Sequence, residues 1–228
     1  MRIHQHLQLV VLLLLFFIGH QIQAQTLEFN GNYSKNKLID SYNDFSEYSV
    51  EDGYAFRFAI DDLYLSIDDH LLDSVRLRFA INLDHYKTYF DVYDGGMGGG
   101  TTYKADVSKT ILSITAFPFN FRVFKFVDIN LGLEYGFLIH DSFSGEYSSW
   151  QMNASSEHEE LDDGDINVNS DQYLGLRSRI AFNIPLKKGF QITPQVSLYR
   201  GFLNDFKSIN SRAKSYRYFI GMGIRKKL

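Results

Sequence analysis

Val127-Asp128-Ile129-Asn130-Leu131-Gly132-Leu133-Glu134-Tyr135-Gly136-Phe137-Leu138-Ile139-His140 alternates almost without a break. Val127, Ile129, Leu131, Leu133, Tyr135, Phe137 and Ile139 share one parity, while Asp128, Asn130, Gly132, Glu134, Gly136 and His140 share the other. Strand side chains switch faces at every residue, so the segment reads as a strand with one apolar face and one polar or small face. A soluble sandwich also uses such strands, its polar face in water. The pattern recurs along the chain with spacers alternately short and long, which points instead to a closed barrel whose apolar face meets lipid.

Period-two segments give eight strands. The first covers about Thr26 to Ser34, the second Gly53 to Ile67, the third Ser74 to Phe90 and the fourth Asp106 to Phe117. The opening segment is the fifth. The sixth, Tyr173 to Pro185, sets Leu174, Leu176, Ile180 and Phe182 against Arg177, Arg179 and Asn183. The seventh runs from Phe190 to Tyr199. The eighth, Tyr216 to Arg225, sets Tyr218, Ile220, Met222 and Ile224 against Arg217, Gly221, Gly223 and Arg225. The fold expected is all-β, an eight-stranded antiparallel up-and-down transmembrane β-barrel. An even count closes the sheet, and eight strands leave a lumen filled by side chains.

Spacers after strands two, four and six are tight: Asp68 to Asp73, Pro118 to Phe126, and Leu186 to Gly189. The other spacers are long and polar, and the glycine-rich run Gly95 to Gly100 reads as a flexible tip. Two places resist the pattern. Strand two changes parity between Ile60 and Leu63, which a bulge at Asp61-Asp62 repairs. Pro194 lies within strand seven on the apolar parity, where its missing N–H calls for another bulge.

The amino terminus reads as an export signal over residues 1–24, with Arg2, the apolar run Leu7 to Ile18, and a cleavage point before Gln25. Its removal leaves 204 of the 228 residues, with 22 basic and 27 acidic side chains, enough for one barrel domain over 25–228. Without cysteine there is neither a disulfide framework nor a lipoprotein anchor. Charge is strongly segregated. Asp141 to Gln172 holds nine acids and no Lys or Arg, whereas Tyr173 to Leu228 holds twelve basic residues against Asp205 alone. An exported chain does not meet nucleic acid routinely, so neither block is assigned to it.

Several segments carry a resemblance: Gln23-Ala24-Gln25, Leu112-Ser113-Ile114 through Pro118, Leu131-Gly132-Leu133-Glu134-Tyr135-Gly136, and Phe219-Ile220-Gly221-Met222-Gly223-Ile224. In their order and spacing the chain resembles the outer-membrane β-barrel domain family of gram-negative bacteria, PorT-like in the broad sense. The resemblance spans the mature chain and implies a barrel in the outer membrane with a cleaved signal peptide. It departs at the carboxyl end, where Lys226-Lys227-Leu228 stands in place of a terminal aromatic residue. The family is defined by fold and supplies no activity.

The inward charges Glu134, Arg177 and Arg179 are expected to meet across strands five and six. Buried charge needs a partner, so they read as a salt-bridged plug, although a gated ion path would use the same residues. Asp162, Asp163 and Asp165 offer oxygen ligands to a divalent ion, but without the spacing of a helix-loop-helix calcium site a solvated external loop is favoured. His140-Asp141-Ser142 contains the residue types of a hydrolase, yet sequence neighbours on a strand point to opposite faces. His85 has no evident serine partner. The reading is therefore a non-enzymatic barrel presenting external loops for a structural or recognition role. A small lipid-modifying enzyme with His140 or His85 as base is the alternative, and a secreted soluble ligand-binding barrel is another. The partners expected are outer-membrane lipid and lipopolysaccharide, the state a monomer, and no cofactor is implied. The acidic and basic spacers are expected to form a loose, salt-sensitive cap.

Overall fold

The computed structural model describes residues 26–39, 47–64, 76–96, 98–123, 126–152, 154–161, 169–207 and 212–228. The expected export signal and Asp162, Asp163 and Asp165 lie outside them. The strands are β1 (Thr26–Ile39), β2 (Glu47–Tyr48), β3 (Glu51–Tyr64), β4 (Arg76–Gly96), β5 (Gly99–Val123) and β6 (Val127–Gln151). They continue with β7 (Ala154–Leu161), β8 (Gln172–Phe182), β9 (Ile184–Pro185), β10 (Phe190–Gly201) and β11 (Lys214–Lys227).

Every pairing is antiparallel. The order β11-β1-β3-β4-β5-β6-β8-β10 returns on itself because β10 also pairs with β11. Eight strands thus close an up-and-down barrel, with β9 prolonging β8 along β10, β2 added to β4 and β7 added to β6. The seam between the first and last strands is long, from Thr26 opposite Lys227 to Ile39 opposite Lys214. Closure leaves these eight strands no free edge within the ring.

Local irregularities follow from particular residues. The β3–β4 register slips by one residue between Ile60 and Leu63, which places the expected bulge at Asp61-Asp62. Pro194 needs no bulge. The β10 register against β8 and β9 is unchanged on either side of it, and the ladder merely lapses beside the residue that cannot donate. Beside it, Asn183 N–H donates to the Phe126 carbonyl at 2.6 Å. A further slip, between Thr110 and Ile111 against β6, had no counterpart in the sequence pattern. Leu138, still on the inward parity, packs against Tyr86, Ile111 and Tyr173, and the extra residue Ile139 turns His140 outward, exposed and paired with the outward Thr110. The expected inward place of His140 is thereby corrected.

The distribution of side chains is inverted relative to a soluble protein. Leu131, Leu133, Ile180, Phe182, Ile220 and Met222 are all exposed, Ile220 at 61%. Glu28, Arg57, Arg78, Asp84, Glu134, Arg177, Arg179 and Arg217 are each no more than 2% exposed. The period-two faces are as expected, with the polar one inside.

The two ends differ. At one, β5 runs on to Val123 and β6 starts at Val127, so the spacer is shorter than Pro118 to Phe126. The turn after β9 is a single 3-10 turn, Lys187–Gly189, with positive φ at Lys188 (60°) and Gly189 (74°). At the other end β4, β5 and β6 reach 21, 25 and 25 residues. The segments expected to be loose loops are ladders: Gly96 pairs with Gly99, and Gly145 to Ser149 pair with Leu161 to Glu157 on β7. Phe90, Val92, Ala105, Val107 and Phe143 fill this extension, and Tyr103 and Tyr147 pack at their side, so it has an apolar interior of its own.

Candidate functional site: the charged lumen and its lid

Inward parity on β1, β3, β4, β6, β8 and β11 delivers charge to the barrel axis, where two carboxylate hubs gather it. Near the short-turn end, Glu28 receives Arg179, Arg78 at 3.1 Å and Arg225 at 2.6 Å. Arg225 reaches on to Asp128 at 2.7 Å, and Asp128 takes Arg122 at 2.8 Å. Arg179 is completed by Gln195 and by Asn130 Oδ1 at 2.9 Å. Nearer the middle, Glu134 accepts from Arg177 at 2.6 Å, Arg217 at 3.2 Å and the Thr115 hydroxyl at 3.0 Å. Asp84 shares Arg217 at 2.6 Å, with Arg177 at 3.9 Å.

Glu134 and Arg177 therefore meet, whereas Arg179 belongs to Glu28 one hub away. Register separates the two arginines. Arg177 lies opposite Gly132 and Arg179 opposite Asn130, each displaced from Glu134 toward the short-turn end. Aromatic rings complete the packing: Arg217 lies over Tyr199 at 3.8 Å and Arg177 over Phe219 at 4.1 Å. A ring face attracts a cation electrostatically, so these tyrosine and phenylalanine faces support the guanidiniums where water is excluded.

Above the hubs a lid enters the barrel mouth. Residues following β10 turn inward and bury Asp205 and Phe206 at 1% and 2% exposure. Asp205 Oδ2 meets Lys109 Nζ at 3.3 Å and accepts from the Tyr86 hydroxyl at 3.3 Å. Phe206 packs on Phe90 at 5.0 Å, and Lys109 lies 4.3 Å from its ring centre. The backbone fastens the segment on both sides: Asp205 N–H donates to Ala213 and Ser170 N–H to Asp205, at 2.8 and 3.0 Å. One exposed pair, Asp171 with Lys207 at 2.9 Å, joins the acidic and basic segments as their opposite charges imply. These buried contacts, absent from the sequence reading, seat Asp205 and Phe206 inside the mouth. On the extension beyond it, Asp91 accepts from Lys104 at 3.3 Å and holds that ammonium above the usual lysine range. Burial beside Tyr147 pushes the Tyr103 phenol up.

The hydrolase residue types do not assemble. His85 points outward, stacked on Tyr54 at 4.8 Å and 3.0 Å from Thr110 Oγ1. His140 also faces out, while Asp141 accepts from Asn169 at 2.7 Å. Among the described residues, no His/Cys/Asp/Glu group of three or more has the arrangement to hold a metal ion.

What the sequence reading missed are Glu28, Arg78, Asp84 and Asp205 as partners. The parity of Glu28, between the apolar Leu27 and Phe29, was its available signal. Its partner Arg225, nearly two hundred residues away, stands directly opposite only because the seam closes.

The architecture is that of the outer-membrane type of β-barrel: an even number of antiparallel strands, closed, with an apolar exterior and a polar interior. No family model matches the chain, and no curated protein does. Among solved structures, it is similar to Neisserial surface protein A, with 12% identity, 92% of this chain and 100% of that chain covered, and a TM-score of 0.41. It is similar also to OprG of Pseudomonas aeruginosa, at 10% identity, 90% and 98% coverage and a TM-score of 0.39. With Ail, the attachment invasion locus protein of Yersinia pestis, the values are 12%, 89% and 99%, and 0.35. The barrel assignment rests on the chain's own closed ring of ladders.

Proposed function

We propose that this protein is a non-enzymatic outer-membrane barrel, its lumen plugged by the Glu28 and Glu134 hubs, that anchors an ordered β-sheet outside the cell for a structural or recognition role. The observation that carries the reading is the inverted distribution of side chains. Burying this many guanidiniums is costly in any setting, but exposing Leu, Ile and Phe along whole strands is favourable only against lipid. The apolar face of β6 from Val127 to Phe137 is ten residue steps, about 33 Å along the strand and about 25 Å along the axis at a tilt near 40°. That matches the apolar band of an outer-membrane barrel, about 25 Å tall.

Orientation follows from the ends. Short turns and both chain termini belong on the periplasmic side, and the β4–β7 extension outside. Just beyond the belt on that outer side, Lys35, Lys37, Arg200 and Lys214 face outward on β10, β11 and β1, with Tyr216 and Tyr218 between them. These cations suit the phosphorylated headgroups of lipopolysaccharide. The PorT-like resemblance and a monomeric state belong to the same reading.

Two measurements test it. A membrane barrel migrates differently with and without boiling on a denaturing gel, and fractionates with the outer membrane. A plugged one gives no large, steady single-channel currents in a planar bilayer. Recovery as a soluble periplasmic or secreted protein would overturn the membrane assignment, and sustained conductance would overturn the plug.

A further inference from the structure

Arg57 is a buried cation short of partners among the described residues. It projects inward from β3 at 2% exposure, between register partners Asn30 on β1 and Asn82 on β4. Its Nε donates to Asn82 Oδ1 at 2.8 Å, and its Nη1 has no hydrogen-bond partner among the described residues. Asn82 is held in this orientation by its own amide, which donates to Ser113 and Thr115 at 3.0 and 2.9 Å. Among the described residues no carboxylate lies within ion-pair distance of Arg57. The charges acting on it are chiefly other guanidiniums, those of Arg177, Arg179 and Arg78, with Glu134 beyond contact and already engaged by Arg177 and Arg217. Phe117 lies 5.8 Å from its guanidinium carbon and 6.0 Å from that of Arg78, so two cations flank one ring.

A guanidinium cannot shed its proton at physiological pH, so it cannot escape this position by neutralising itself. Nearby positive groups raise the energy of the site further, and burial prevents bulk water from screening them. We infer that the barrel interior holds a small monovalent inorganic anion, of the chloride class, against Arg57 Nη1. Such an ion supplies the missing charge and accepts the missing hydrogen bond. A monoatomic ion asks the least room of a lumen filled by side chains. Binding would couple barrel stability to the anion by mass action. The inference depends on the packed interior and not on the cellular location, so it and the proposed function fail separately.

The test uses the full-length barrel in detergent micelles. Its unfolding midpoint is measured as chloride replaces gluconate at constant ionic strength. A saturable rise is expected, roughly 3–6 °C at ten times the half-saturating concentration. In Arg57→Gln the rise should vanish, while replacement of the exposed Lys35 by Gln should preserve it. Should Arg57→Gln not fold, crystals of the unaltered protein grown in bromide provide the second measurement, with an anomalous peak expected within contact distance of Arg57. Equal midpoints in chloride and gluconate, a chloride effect that persists in Arg57→Gln, or a water in place of the bromide peak would each overturn the inference.

Discussion

Replacing Glu134 with Ala removes the acceptor on which the central hub turns. Arg177 donates to it at 2.6 Å, Arg217 at 3.2 Å and Thr115 at 3.0 Å, all in the buried interior. The losses are unequal. Arg217 keeps Asp84 at 2.6 Å, whereas the remaining carboxylate for Arg177 is Asp84 at 3.9 Å, already engaged. The substitution therefore amounts to stranding one buried guanidinium, which costs about 3–5 kcal/mol. With a urea dependence of about 2 kcal/mol per M, the unfolding midpoint should fall by about 2 M. Glu134→Gln retains an acceptor but not the charge and should fall between the two. Adding Asp84→Asn to Glu134→Ala should give a total that departs from the sum of the single effects, because both carboxylates share Arg177 and Arg217. Equilibrium unfolding in lipid vesicles, followed by gel migration without boiling, reads the parent, the three single variants and the double variant. A midpoint for Glu134→Ala indistinguishable from the parent would refute the buried hub and imply that water screens Arg177.

Arginine in place of Ile220, on the exposed apolar face of β11, should cost about 2–4 kcal/mol near the bilayer midplane, while Ser156→Arg on β7 should cost little; equal tolerance would reverse the assignment of faces. Gly132 faces the β5 bulge between Ala116 and Phe119, where an added Cβ would collide with the Ala116 carbonyl oxygen and lie 2.8 Å from Phe117 Cα. Gly132→Ala should therefore lower refolding yield sharply, and a yield matching that of the parent would show that the bulge can shift. Cysteines replacing Asp171 and Lys207 should crosslink with similar yield at low and high salt, since Asp205 and Phe206 hold the lid from within; loss of crosslinking at high salt would restore the loose cap. Asp205→Asn should leave Lys109 without its buried counter-charge and speed amide exchange at Asp205 and Phe206, and unchanged exchange would mean that Phe206 alone seats the lid.

The amino-acid sequence by itself determined the strands and their faces. Alternation in Val127 to Phe137 is a local property, since each side chain's direction follows from its neighbour's, and its recurrence between short and long spacers turns the apolar face toward lipid. The parity change between Ile60 and Leu63 likewise exposed the bulge, because one inserted residue leaves its mark in the chain itself. The slip beside His140 was not legible: Ile139 continues the apolar alternation, and only the ladder with β5 turns His140 outward. The pairing of charges was decided by tertiary structure for the same reason. Glu134, Arg177 and Arg179 all carry inward parity, but the offset of β8 against β6 sends one arginine to each hub. Glu28 meets Arg225 because the first strand closes on the last, a contact that no local pattern encodes. The polar residues near Asp205 read as solvated loop, since a short run of sequence does not reveal whether its chain turns outward or into the barrel. Buried Lys109, waiting inside the mouth for a carboxylate, supplies the reason that it turns inward.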